Sequence, residues 1–223
     1  MVIIGCPVHN DLEAFRNAIS TFMNSTQADY KIVIIESEST DGTKEYCDEL
    51  AKNPKIEVIH TKREGPLKAY NQLFQIAKER GEDLLLIQTD VTFFKLYKRD
   101  WLNEMIEIAK DERIGAVVTI NYGGISGPDY LDGFKWIGGW CSYITNRAIQ
   151  KVGGFDENYP KGWGVDIDLT YAILNAGLHI FKLDYWVEHH MSNERLHDTQ
   201  NFEENEKAKK EAGKYFRNKW GIK

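Results

Sequence analysis

A carboxylate at the end of an aliphatic run is the first chemical signal in this chain. Leu84-Leu85-Leu86-Ile87 suits a strand covered on both faces, and it breaks at Gln88-Thr89-Asp90. Open α/β sheets bind ligands beyond the carboxyl ends of their strands, so Asp90 stands where a charge would meet one. The structural alternative is that Asp90 only starts a turn. A second run, Ile32-Val33-Ile34-Ile35, ends at Glu36, a carboxylate able to accept from a nucleobase ring N–H or a ribose hydroxyl. Asp41, a few residues on, is expected to cap the following helix. Val2-Ile3-Ile4 breaks at Pro7 and leads to His9 and Asn10, with Asn10 and Glu13 in capping-box spacing. Gly65-Pro66 opens a helix carrying Lys68 and Asn71, and small residues with a lysine at a helix start favour a phosphate-bearing ligand. Asp166 and Asp168 lie at another helix start, where they either complement its positive end or supply a general base. His189 and His190 are adjacent at the end of a strand-like stretch.

The elements that hold these residues follow from periodicity. Leu12, Phe15, Ile19 and Phe22 recur at helical spacing, as do Leu67, Tyr70, Phe74 and Ala77. With Ile56-Glu57-Val58-Ile59 as a third strand, the first half reads βαβαβαβ, the signature of a parallel sheet with right-handed crossovers. The second half is less regular. It predicts a helix around Trp101, Met105 and Ile108, a strand over 114–118, a loop over 121–133 and a strand over 134–145. Helices over 147–152 and 168–176 and strands over 178–183 and 185–190 complete it. No linker or internal repeat divides the chain, which reads as one domain.

Composition narrows the function. The 223 residues carry a net charge of −6, so nucleic acid is not an expected partner. Cys6, Cys47 and Cys141 are odd in number and far apart, which gives no metal-ligand spacing and suits a reducing compartment. The start lacks the length and basic residues of a signal peptide, and no apolar run approaches ~20 residues. A cytoplasmic protein is the expectation. Gly-x-Gly-x-x-Gly is absent, against a nicotinamide or flavin enzyme. From Lys207 onward, seven basic residues face one acid, with Tyr215, Phe216 and Trp220 interleaved. Such a helix either lies on an anionic membrane surface or closes the domain with its aromatics packed inward.

Taken in order, these pieces resemble family 2 glycosyltransferases of the GT-A fold. Pro7 to Asn10 matches their Pro-x-x-Asn turn, and Glu36-Ser37-Glu38-Ser39-Thr40-Asp41-Gly42-Thr43 matches Asp-Asp-x-Ser-x-Asp-Gly-Thr. Residues 65–71 match Gly-x-x-x-Ala-x-Asn, Gln88-Thr89-Asp90 the metal motif Asp-x-Asp, and residues 153–157 Gly-Gly-Phe-Asp-Glu. Val165-Asp166-Ile167-Asp168 falls on Glu-Asp-x-Asp. Three positions depart from the pattern: Gln88 and Val165 replace acids, and Tyr70 stands where many relatives carry arginine.

The resemblance implies an α/β fold, a Rossmann-like and mostly parallel central sheet flanked by helices in a single domain. Residues 1–92 would form a nucleotide-sugar-binding half, 93–200 an acceptor and catalytic half, and 201–223 a basic C-terminal helix. It further implies an inverting, metal-dependent hexosyltransferase. Pro7, His9, Asn10, Glu36, Gly65, Lys68, Asn71, Thr89 and Asp90 would bind a nucleoside-diphosphate sugar. Asp90 with His189 or His190 would hold Mn²⁺ or Mg²⁺, and Asp166 would be the general base. Trp140, Trp163 and Asp168 would face the acceptor, since tryptophan faces such as those of Trp136, Trp140 and Trp163 pack on sugar rings and equally on ordinary cores. The acceptor, whether glycan, lipid-linked or protein, stays open, as does peripheral membrane contact through the C-terminal helix. Two rivals remain. A sugar nucleotidyltransferase would want a basic, Gly-rich signature after the first strand, where this chain has Pro-Val-His-Asn. A nucleotide-sugar-binding module that has lost catalysis is favoured by Gln88 and Val165.

Overall fold

The computed structural model describes residues 1–122, 141–190 and 202–222, with the backbone alone at 120–122. The apolar runs and stripes form β1 (Val2–Val8), α1 (Leu12–Ser25), β2 (Tyr30–Ser37), α2 (Thr43–Leu50), β3 (Ile56–Thr61), α3 (Pro66–Arg80) and β4 (Asp83–Ile87). A two-residue β5 (Val91–Thr92), α4 (Trp101–Ala109), β6 (Ile114–Tyr122), β7 (Cys141–Ile144) and α5 (Asn146–Val152) follow. A 3-10 turn (Pro160–Gly162), α6 (Val165–Asn175), β8 (His179–His189) and α7 (Phe202–Trp220) complete the described elements.

Among the described residues the strands form one eight-stranded sheet in the order β3-β2-β1-β4-β7-β6-β8-β5. β1 to β4 are mutually parallel. β7 is antiparallel to both β4 and β6, and β8 is parallel to β6. The carboxyl ends of β1, β2, β3, β4, β6 and β8 therefore share one edge of the sheet. Alternation splits each strand between two cores. Ile4, Ile32, Ile34, Leu85 and Ile87 pack with Phe15, Phe22 and Trp101 of α1 and α4. Ile3, Val33, Ile35, Leu84 and Leu86 pack with Leu73, Phe74, Ile149 and Leu169 of α3, α5 and α6. Burial on both faces is why the strand sequences are unbroken aliphatic runs rather than alternating ones.

The direction of α6 follows from one close approach. A Cβ on Gly115, near the start of β6, would lie 2.6 Å from Ile173 and 2.9 Å from Leu178. The end of α6 is thus pinned at the amino edge of β6, and α6 runs back across the sheet. Its first residues, including Asp166, point to the edge that carries the other strand ends.

Four expectations are corrected. β1 does not stop at Pro7 but runs to Val8, with Pro7 in register with Ile35. Pairing of β1 with β4 ends at Gly5, and a strand paired on one side tolerates a residue without an N–H. The stretches 178–183 and 185–190 form the single strand β8, which meets β6 through register shifts. α6 starts at Val165, earlier than the expected 168. The capping box is not formed: Asn10 and Asp11 both have left-handed φ, and α1 has no side-chain cap from Asp11. The loop expected over 121–133 begins later than expected, since Asn121 and Tyr122 are the last residues of β6; the rest of it and most of the strand over 134–145 lie outside the described residues, as do Trp136 and Trp140.

Candidate functional site

The loops after β1 and β2 are stitched together by their own polar side chains. Asn10 N donates to Ser39 Oγ at 2.9 Å, and Asn10 Oδ1 accepts from Thr40 N at 2.8 Å. Asp41 serves two helices at once. Its Oδ1 accepts from Thr43 N at the start of α2, and its Oδ2 accepts from Leu12 N at the start of α1, each at 3.1 Å. His9 Nδ1 lies 2.6 Å from the Ser37 carbonyl and its Nε2 lies 3.2 Å from Asn10 Nδ2, a pattern that fits the Nδ1–H tautomer.

Glu36 is 1% exposed, and both of its oxygens are engaged. Oε1 accepts from Ser39 N at 2.6 Å, and Oε2 faces His60 Nδ1 at 2.8 Å. Burial pushes this carboxyl up, but His60 and the Ser39 donors outweigh it and hold it below the usual range. His60 was absent from the sequence candidates. The signal was nevertheless present: β2 and β3 are parallel, and Glu36 and His60 each follow an apolar stretch in matching register.

At the end of β4, Asp90 is buried and its Oδ1 accepts no hydrogen bond. That oxygen lies 3.3 Å from His189 Nε2. The short β5 makes the meeting possible by pairing Val91 with His189 at the end of β8. His190 points the other way, as alternation requires, with Nε2 2.8 Å from Thr92 Oγ1. Gln88 Oε1 is also buried without a hydrogen bond, and Thr89 beside it is half-buried. A buried anionic oxygen left without a donor costs about 1–3 kcal/mol or more, so this corner is built for something to complete it. A divalent ion fits. Adjacent ligands of an ion with bonds of about 2.1 Å are about 3 Å apart, close to the Asp90–His189 separation. No third histidine, cysteine or carboxylate joins the pair among the described residues. Mg²⁺-type sites commonly use one or two protein ligands plus phosphate oxygens.

On the opposite core, Asn71 works as a clamp. Its Nδ2 donates to the Phe155 carbonyl and to Glu157 Oε1, while its Oδ1 accepts from Phe155 N at 2.8 Å. A Cβ on Gly154 would fall onto Asn71 Oδ1 and crowd Phe74. The Gly-x-x-x-Ala-x-Asn and Gly-Gly-Phe-Asp-Glu segments thus explain one another as two halves of a joint. Gly65 and Lys68 are exposed at the start of α3. The 3-10 turn before Asp166 lies beside them, with the Cβ position of Gly162 3.5 Å from Leu67.

Asp166 is half-buried at the first turn of α6, and its Oδ1 accepts from Ile167 N at 2.9 Å. Asp168 is placed differently. Its 3% exposed carboxylate accepts from Tyr159 Oη, Lys219 Nζ and Trp220 Nε1 at 2.8–2.9 Å. Lys219 also reaches Asp156, as does Tyr215 Oη. Burial raises the Asp156 carboxyl, but these donors and Asn158 bring it down to about 2. Asp168 is therefore a latch for α7, with an acceptor-facing role not visible in its contacts. Tyr215, Phe216 and Trp220 meet Tyr159 and Tyr171, so the aromatic side of α7 is turned inward. One face of Trp163 carries Lys209 Nζ at 4.6 Å. Asp168→Ala is expected to cost about 1–3 kcal/mol by leaving Tyr159 Oη and Trp220 Nε1 without their acceptor, while Lys219 keeps Asp156, read as a lower urea midpoint with unchanged slope.

A mannosyltransferase from Pyrobaculum calidifontis, solved with GDP-Man and Mn²⁺, superposes with a TM-score of 0.66 at 18% identity, over 86% of this chain and 57% of that one. GalNAc-T7, solved with UDP, GalNAc and Mn²⁺, gives 0.66 at 16% identity, over 85% of this chain and 43% of that one. At such identities these likenesses fix the fold, which is GT-A. An "uncharacterized glycosyltransferase" of Rickettsia bellii (strain RML369-C) is 28% identical over 88 residues, 40% of this chain and 12% of that protein's length. No helix among the described residues is long and apolar enough to cross a membrane. The sequence model of glycosyl transferase family 2 matches residues 3–157, more than half of the chain, and the chain belongs to that family.

Proposed function

We propose that this chain transfers a sugar from a nucleoside-diphosphate donor to an acceptor hydroxyl with inversion at the anomeric carbon. The observation that carries the reading is the Asp90–His189 pair: a buried, unbonded carboxylate oxygen 3.3 Å from an imidazole nitrogen at the ligand-binding edge of the sheet. Asp90 and His189 would hold a divalent ion there, which would supply Lewis-acid stabilisation to a departing diphosphate. Glu36, His9 and Asn10 border the loops where the nucleoside is received, and Gly65 and Lys68 open α3 toward the same edge. The acceptor oxygen forms its bond to the anomeric carbon as the bond to the diphosphate breaks. Asp166 takes the hydroxyl proton, a contribution of roughly 10²–10⁴-fold. Manganese-bearing GT-A neighbours with GDP-Man or UDP support a donor of this class.

The test is a thermal-shift screen of UDP, GDP and their sugars with and without Mn²⁺, followed by assay of donor hydrolysis. A donor at about 100 times its Kd adds about 2.7 kcal/mol of stability. A rise in Tm requiring both nucleotide and metal, with slow hydrolysis, is the expected result. Binding without any turnover would favour a module that has lost catalysis. No shift with any nucleoside diphosphate would end the reading.

A further inference from the structure

His60 is held between two carboxylates. Its Nδ1 faces Glu36 Oε2 at 2.8 Å and its Nε2 faces Asp48 Oδ1 at 3.0 Å. Ionised carboxylates only accept hydrogen bonds, so satisfying both contacts requires a proton on each ring nitrogen. The arrangement selects the imidazolium. Glu36 is fully buried on β2, whereas the His60 side chain is 39% exposed on β3 and Asp48 is 61% exposed on α2. Cys47 of α2 also borders Glu36, but burial leads in raising its thiol to about 12, so it stays neutral. Glu36 from β2 and Asp48 from α2 are the two carboxylates in contact with the His60 ring.

Loss of one proton from His60 breaks one of the two contacts, and a ring lone pair then faces a carboxylate. The other oxygen of Glu36 holds Ser39 N, and Ser39 Oγ holds Asn10 N, so the disturbance reaches the loops after β1 and β2. We infer that His60 is a titratable positioning residue of the donor site, whose imidazolium keeps Glu36 and the Ser39 loop in the arrangement that receives a nucleoside diphosphate. The inference rests on the donor reading above. The positive ring also favours an anionic ligand over the neutral state. Protonated His60 therefore binds donor more tightly, and affinity is lost as pH rises through its pKa. The Glu36 contact leads in raising that pKa above 6.5, Asp48 adds to it, and desolvation opposes.

The experiment uses the full chain with UDP and GDP in Mg²⁺, by calorimetry from pH 5.5 to 9, beside NMR titration of His60 with and without nucleotide. His60 is expected to titrate above 6.5 when free and about one pH unit higher when bound. Linkage then makes Kd about tenfold weaker above both values than below both. The readout is the difference in log Kd between wild type and His60→Gln at each pH, which cancels any titration common to both proteins. That difference should be about one log unit at low pH and vanish at high pH, and Asp48→Asn should move its midpoint down. A constant difference, or a free His60 titrating at or below 6.5, overturns the inference while leaving the donor reading intact. If neither nucleotide binds at any pH, the donor reading fails and takes this inference with it.

Discussion

Asp90→Ala is expected to remove the metal dependence of donor binding and to lower transfer by about 10³-fold. The size follows from what the carboxylate is placed to do. Charge stabilisation of a departing diphosphate is worth several kcal/mol, and each 1.36 kcal/mol is tenfold in rate. His189 alone offers one neutral donor, which cannot replace an anion as the principal ligand of Mn²⁺ or Mg²⁺. The same variant has a second signature that a damaged fold would not give. Asp90 Oδ1 is buried and accepts no hydrogen bond, so deleting it removes a buried polar atom that no donor satisfies, at the loss of only the 3.3 Å approach to His189. The variant without metal should melt no lower than wild type without metal, while the shift produced by Mn²⁺ disappears. A wild-type response to Mn²⁺ in Asp90→Ala would remove this residue from any metal site.

How much of this could be read from residues alone varies with the kind of signal. The first seven elements are legible because β1, β2 and β4 are buried on both faces and each helix buries one stripe, so periodicity and burial agree. Strand ends were equally legible as places for Glu36 and Asp90, because topology fixes the edge at which parallel strands deliver their last residues. What escaped depends on contacts between segments remote in sequence. Asp41 looks like an ordinary cap for α2, and only the meeting of two loops shows that it also caps α1. Asn71 looks like a ligand-binding amide at a helix start, but Gly154 lets the segment approach, so that Phe155 and Glu157 engage its amide. The choice between His189 and His190 needed β5, two residues too short to register as a strand. His60 was within reach through strand register, yet a lone histidine at a strand end carries no motif.

Asp166→Asn separates chemistry from architecture most sharply, because its neighbour two residues on supplies the contrast. The amide keeps an oxygen for Ile167 N and nearly the same shape, so the first turn of α6 survives. What is lost is the ability to take a proton. Transfer is expected to fall by roughly 10²–10⁴-fold with donor Kd unchanged, and the acidic limb of the pH–rate profile should go with it. Asp168→Asn should do the reverse. Its carboxylate is filled by Tyr159, Lys219 and Trp220, so stability falls first and the residual folded enzyme keeps its pH profile. Val165 sharpens the test. With no acid at 165 and the Asp168 carboxylate filled, neither sequence neighbour is placed to stand in as base. Undiminished transfer in Asp166→Asn, measured at saturating donor, would mean that the proton leaves by another route and that α6 carries only structure.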